Sequence, residues 1–341
     1  MATAGSAAVR RVVRAAVDHV RAAVRRERRD ADLGAGRAEA ASAAPVVAGP
    51  GGPAAGHRLA GRLSLGVTAL MAAASATGLA WRGLYRDAPA NAATFRAYDL
   101  GSLTVATPLL AGAMVRARRG SARAHVLWAG MLVYVVYTYA YYVFGAAFNA
   151  LFLAHVVLLV LAAVALVLLL RSLDVGALVS AARARTPVRT VGVVLGALAA
   201  SLGGMWAWFS LRFATTGAPP PEGLLLQPAP IGHLGYAMDL STLVPAYATA
   251  SVLLWRRRPW GHVLGGVLLV ASAVIQVNYM LALAFQAREG LPGATAFDPQ
   301  EPYIAATITV AAALLLAGLR SQPRPTHAGG PVTRAREPRV A

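Results

Sequence analysis

Eight apolar stretches of about twenty residues each, separated by arginine-bearing breaks, leave this chain one solvent in which to fold. They cover 59–81, 97–115, 124–145, 150–170, 190–211, 235–255, 261–285 and 303–319. At ~1.5 Å rise per residue, ~20 residues cross the ~30 Å hydrocarbon core of a bilayer. Backbone groups in that core must be satisfied within a helix or a closed barrel. Continuous apolar runs, rather than alternating ones, select the helix. The expected fold is all-α, a polytopic membrane helical bundle of about eight transmembrane helices. Composition agrees: 57% of the residues are hydrophobic, 13% are charged and the mean hydropathy is +0.55, where a soluble domain carries about 25% charged residues.

The net charge of +18 reflects topology rather than nucleic-acid binding. All 32 basic residues are arginine, and 27 fall in the N-terminal region, the even-numbered breaks and the C-terminal tail. The other breaks hold only Arg82, Arg86, Arg96, Arg212 and Arg288. Basic residues stay on the cytoplasmic side of a membrane, so both termini are expected there. Arginine without lysine, together with heavy Ala, Gly and Val usage, points to a GC-rich bacterial genome and to the bacterial plasma membrane.

The first 58 residues show no apolar core of a signal peptide. Within them, residues 7–27 place Val9, Val13, Ala16, Val20 and Val24 at helical spacing amid arginines. Such a segment reads either as an amphipathic helix on anionic lipid headgroups or as an arginine-rich disordered tail. Residues 31–57 read as a flexible Ala-, Gly- and Pro-rich linker. The loop 215–232, with five prolines, is expected to be extended, and residues 321–341 disordered.

The spans divide into two sets of four, 59–171 and 190–320, joined by a cytoplasmic linker at 172–189. Asp99 opens "DLGSLTVATP" and Asp239 opens "DLSTLVPAYA"; each motif is followed by an arginine cluster and a histidine. Pro108 and Pro245 are 137 residues apart, as are His125 and His262; Asp99 and Asp239 are 140 apart. A duplicated four-helix unit, with copies parallel about an axis along the membrane normal, accounts for this spacing. Topology alone also yields such a pattern. Each proline frees a helix carbonyl and permits a kink.

Polar residues gather toward the outer ends of the spans. Asp99, Asp239, Tyr137, Tyr141, Asn149, His155, Gln276 and Asn278 are the candidate ligand-binding residues, bounding one polar pocket open to the outside. Tyr134, Tyr137 and Tyr141 form a stripe running through Gly145 to Asn149, whereas tyrosines all around the third span fit an interfacial aromatic belt. The two aspartates also fit helix N-caps. Asp298, Glu301 and Tyr303 lead into the last span.

Several chemistries are excluded or disfavoured. The absence of cysteine removes disulfides, thiolate metal sites and iron–sulfur clusters, and the absence of lysine removes a retinal Schiff base. No span carries two histidines, which argues against a membrane b-type haem. His155, His233, Asp99 and Asp239 lack metal-ligand spacing. There is no phosphate-binding glycine loop and no serine-nucleophile motif, so no cofactor and no metal are expected.

The stretch 99–153 carries a DL–P–RRGS–Tyr-rich–FG–FN–LFL pattern. It resembles a group of uncharacterised bacterial multi-pass membrane proteins. The resemblance covers about a sixth of the chain, implies topology without an activity, and singles out Asp99, Gly145, Phe148 and Asn149. The expected function is a small-molecule carrier or a membrane-embedded binding protein. The alternatives are an enzyme acting at the outer leaflet through His155 with Asp99 or Asp239, and a structural membrane subunit. The bilayer is the one partner that the sequence defines. The ligand and the oligomeric state stay open.

Overall fold

The computed structural model describes residues 53–180, 186–220, 223, 225–227 and 229–319. The amphipathic segment 7–27 and the tail 321–341 lie outside the described residues. Eight helices are long and apolar enough to cross a membrane, and the described residues contain no strand. They are α1 (Pro53–Ala80), α2 (Pro89–Arg118), α3 (Ala122–Phe144), α4 (Phe152–Ser172), α5 (Val188–Thr216), α6 (Ala229–Met238 continuing to Val244–Trp255), α7 (Pro259–Arg288) and α8 (Gln300–Gly318). A short helix, Val175–Ser180, precedes α5.

Two boundaries differ from expectation. Helix α1 begins at Pro53, so residues 53–57 are helical rather than part of a linker. Helix α2 begins at Pro89, eight residues before the apolar run. Its first turns are Ala-rich and polar, which hides them from a hydropathy window, and Pro at the helix start fixes the backbone there. Asp99 is therefore ten residues into a helix and is not an N-cap. Asp239 likewise follows ten helical residues.

Both α2 and α6 widen into one π-helical stretch at their middle, at Ser102–Ala106 and Asp239–Leu243. The Thr107 and Val244 N–H groups bond the carbonyls five residues back, Ser102 O and Asp239 O. Pro108 and Pro245 follow directly. A proline ring clashes with the preceding turn and removes a donor, and the wider turn accommodates it. The kink expected at each proline is thus realised as a π-bulge, a feature frequent at functional sites.

In the first half α1 packs on α4 and α2, and α3 on α2 and α4; in the second, α5 packs on α6 and α8, and α7 on α6 and α8. The halves meet where α7 lies against α2 and α3. Helices α3 and α7 form the centre: 72% of the α3 window is buried, against 22% for α5. Their backbones approach closely at glycines. A Cβ on Gly130 would stand 2.6 Å from Val270 Cγ1, and one on Gly266 would stand 2.8 Å from Val126 Cγ1. Small residues permit such close helix crossings in lipid. Outward faces such as Val157, Val160, Val164 and Val167 of α4 are exposed and apolar, as lipid contact requires.

The arginine-rich end is tied together by Arg123, whose Nε donates to Leu319 O at 2.7 Å and whose Nη2 donates to Ala317 O at 3.2 Å. A cation there satisfies the last carbonyls of α8 and complements its dipole. At the opposite end, Ala147 N–H donates to Asp87 Oδ1 at 2.8 Å, joining the loops before α2 and α4. Burial pushes the Asp87 carboxyl up from 3.8. The folded state then holds this proton more tightly than the unfolded chain, so its contribution to stability is fullest below 3.8 and is lost as pH rises through the folded value. Asp87→Asn keeps the Oδ1 acceptor and is expected to flatten the fall of melting temperature with pH above 3.8. A wild-type slope in the variant would refute that role.

Candidate functional site

The eight candidate residues do not bound a single pocket. The structure sorts them into two clusters around the two aspartates, plus separate pairs.

The first cluster is sealed within the first half. Asp99 is 1% exposed. Its Oδ2 accepts from the Tyr85 hydroxyl at 2.6 Å, and its Oδ1 lies 3.0 Å from the Tyr142 hydroxyl, which is also 2.9 Å from Phe95 O. The His155 ring packs on Tyr142 and Tyr139, with centroids 4.6 and 5.7 Å apart. Both His155 ring nitrogens, Ser75 Oγ and Tyr139 OH are buried without a hydrogen-bond partner. Burial pushes the Tyr85 hydroxyl up. Gly78 brings the α1 backbone onto this carboxyl: a Cβ there would stand 2.7 Å from Asp99 Cγ. Next to it, Tyr134 OH accepts from Asn278 Nδ2 at 2.7 Å and shares a proton with Ser102 Oγ at 2.8 Å, which links α2, α3 and α7.

The second cluster lies between the halves. Asp239 Oδ1 accepts from Tyr137 OH of α3 at 2.6 Å, and Oδ2 accepts from Trp206 Nε1 of α5 at 2.9 Å. Tyr141 OH stands 3.3 Å from Tyr137 OH, and Trp206 stacks on Tyr236 with centroids 3.9 Å apart. Tyr137, Tyr141, Trp206 and Tyr236 keep part of their surface accessible. Tyr98 of α2, also half-buried, lies within Coulombic reach of Asp239, Tyr134, Tyr141 and Tyr279.

The remaining candidates stand apart. Gln276 of α7 donates to Glu301 of α8. Asn149 closes its own turn, accepting from Leu151 N–H at 2.9 Å and donating to Ala147 O at 3.0 Å. Phe148 is 79% exposed, and Gly145 packs against Ile231 and Leu234 of α6. The tyrosines of α3 form no interfacial belt: Tyr134, Tyr139 and Tyr142 are fully buried, because α3 sits at the bundle centre. His125 lies beside His57 and Trp128. His155 accompanies Asp99 rather than Asp239, and no set of three metal-binding side chains converges among the described residues.

Several participants escaped the sequence reading, Tyr85, Trp206, Tyr98, Tyr236 and Gln286 among them. Tyr85 sits in a loop, outside any span. Trp206 lies in the aromatic run MWAWF and Tyr98 stands directly before Asp99, and neither carries a charge that would single it out. Gln286, fully buried, donates to Ala90 O, Thr94 Oγ1 and Leu226 O at 2.8–3.1 Å and clamps α7 to the start of α2. It lies one residue beyond the apolar run 261–285, so the hydropathy pattern did not mark it. No family model matches this chain, nor does any curated protein or any solved structure.

Proposed function

We propose that this chain is a small-molecule carrier, or a membrane-embedded binding protein, whose ligand site is built on Asp239 and takes a small organic cation. The observation that carries it is the state of the Asp239 carboxylate. It is 8% exposed at membrane depth. Its two oxygens are held by two neutral donors, one from each half, and no basic side chain pairs with it among the described residues. Both donors give one proton each, which suits an ionised acid. A charge so placed is costly without a counterion. The rings around it, Trp206, Tyr236, Tyr137 and Tyr141, offer the faces that a cation prefers. The π-bulge in α6 places the aspartate at a point where the helix backbone is already irregular.

The arginine-rich face is taken as cytoplasmic, which puts the loop-bearing face, and the approach to Asp239, outside a bacterial plasma membrane. A four-helix duplication underlies the two halves: the π-bulges lie 137 residues apart, as do the prolines that follow them, and each half has the same order of neighbours. Parallel repeats with a site between them are a carrier design.

The test is a thermal-unfolding screen of the purified protein with tetraethylammonium, choline and simple primary amines, set against uncharged and anionic analogues. Cations are expected to raise the melting temperature and change tryptophan fluorescence. Asp239→Asn should abolish both effects while its unliganded melting temperature stays near wild type. A panel in which no cation stabilises, or in which Asp239→Asn responds like wild type, removes this assignment. Uptake into proteoliposomes then separates carrier from binder.

A further inference from the structure

The two buried aspartates differ in a way that assigns a second ligand, and that ligand is a proton. Asp239 is met by two donors for which its carboxyl is clearly the nearest acceptor: Tyr137 OH lies 2.6 Å from Oδ1 and 3.3 Å from Tyr141 OH, and Trp206 Nε1 lies 2.9 Å from Oδ2. Asp99 is met differently. Tyr142 owns one hydroxyl proton and faces two acceptors, Phe95 O at 2.9 Å and Asp99 Oδ1 at 3.0 Å. The carbonyl can only accept, so one of the two contacts lacks a full proton unless the acid supplies one. When Tyr142 donates to Phe95 O, its own oxygen becomes an acceptor, and a proton on Asp99 Oδ1 completes the bond. Tyr85 meanwhile donates to Oδ2, which serves as the carbonyl oxygen of the acid. The hydroxyls of Tyr85, Tyr142 and the acid then each donate once.

The charges around Asp99 agree. From α1 it meets Ser75 Oγ, a hydroxyl within reach of the carboxyl, and the bare backbone at Gly78. From the following loop it meets Tyr85; from α3, Tyr134, Tyr139 and Tyr142; from α4, His155 lies behind the Tyr142 ring. On α2 itself, the Arg96 charge reaches Asp99, but the guanidinium forms its ion pair with Glu289 at 3.2 Å, so no cation pairs directly with the acid. A carboxylate sealed at membrane depth without a cation pays the full desolvation cost, and protonation removes it.

We propose that Asp99 is a proton-binding site of the first half, occupied in the resting protein, with Ser75, Tyr139 and His155 as the polar side chains packed in its neighbourhood. The three side chains contribute four buried atoms that no protein group satisfies. They are the polar groups of that neighbourhood that hold no hydrogen bond. The assignment concerns the resting protein and does not rest on the ligand proposed for Asp239.

Infrared difference spectroscopy of the purified full chain tests it. At neutral pH the wild-type minus Asp99→Asn spectrum is expected to contain the C=O stretching band of a protonated carboxylic acid. The asparagine side chain reproduces the shape of the neutral acid, so the variant is expected to fold. Tyr85→Phe removes the donor to the acid carbonyl and is expected to move the same band to higher frequency, which gives a second readout that needs no change at Asp99. Loss of only the carboxylate bands in Asp99→Asn, or an unmoved band in Tyr85→Phe, overturns the assignment. Because both spectra are read without added organic cation, failure of the Asp239 site and failure of this one are separable.

Discussion

Gly130→Leu is expected to break the contact between the two halves, with a loss of about 3 kcal/mol, the upper end of what overpacking costs. The α3–α7 crossing is the main seam, and at Gly130 it has no side chain to yield. A Cβ there would lie 2.6 Å from Val270 Cγ1 and 2.9 Å from the Val267 carbonyl oxygen. One neighbour is a β-branched side chain, stiff at its first torsion, and the other is backbone. The helices must separate, and Asn278, Tyr134 and Ser102 separate with them. Helix propensity runs the other way, since leucine outranks glycine by about 0.8 kcal/mol, so a measured loss isolates the packing term. Gly112, whose Cβ would meet nothing within 4 Å, is the control: Gly112→Leu is expected to be neutral or to gain up to about 0.8 kcal/mol from helix propensity. Denaturant titration in mixed micelles, followed by helicity, compares the two. Equal midpoints would show that α3 and α7 do not cross as described.

Gly78→Ala is expected to cost about 2 kcal/mol, although alanine is normally the better helix residue. The added methyl would lie 2.7 Å from Asp99 Cγ and 2.8 Å from Tyr85 OH. It must push the carboxyl off its hydrogen bonds or push α1 off α2. A double-mutant cycle with Asp99→Ala distinguishes this clash from a generic helix effect. Truncating Asp99 opens the space that the added methyl needs, so the combined loss should fall short of additivity by about 1 kcal/mol or more. Strict additivity would place Gly78 away from the acid.

The α3 tyrosines show why the fold was more legible than the site. A solvent too apolar to hydrogen-bond leaves the backbone one local solution, repeated eight times, and arginine placement orders it. That constraint is written in runs of neighbours along the chain, and all eight helices fall where the runs do. The α2 start slipped because its first turns, near the rim, contain few strongly apolar residues. The tyrosines were ambiguous for the opposite reason. Five of them within nine residues suit an interfacial ring on a peripheral helix and a hydrogen-bonding hub on a central one. Only the packing of α3 against α2, α4 and α7 makes them a hub.

From the sequence alone came the number of crossings, their helical form, the arginine asymmetry and the two matched prolines, because each follows from what a residue and its near neighbours can do in lipid. The tertiary structure alone decided that Asp99 and Asp239 belong to different clusters, that Tyr85 and Trp206 complete them, and that Asn149 takes part in neither. Hydrogen bonds between residues 14 to 144 positions apart depend on which helix faces which, and that is fixed by side-chain packing at the glycine crossings rather than by any local pattern.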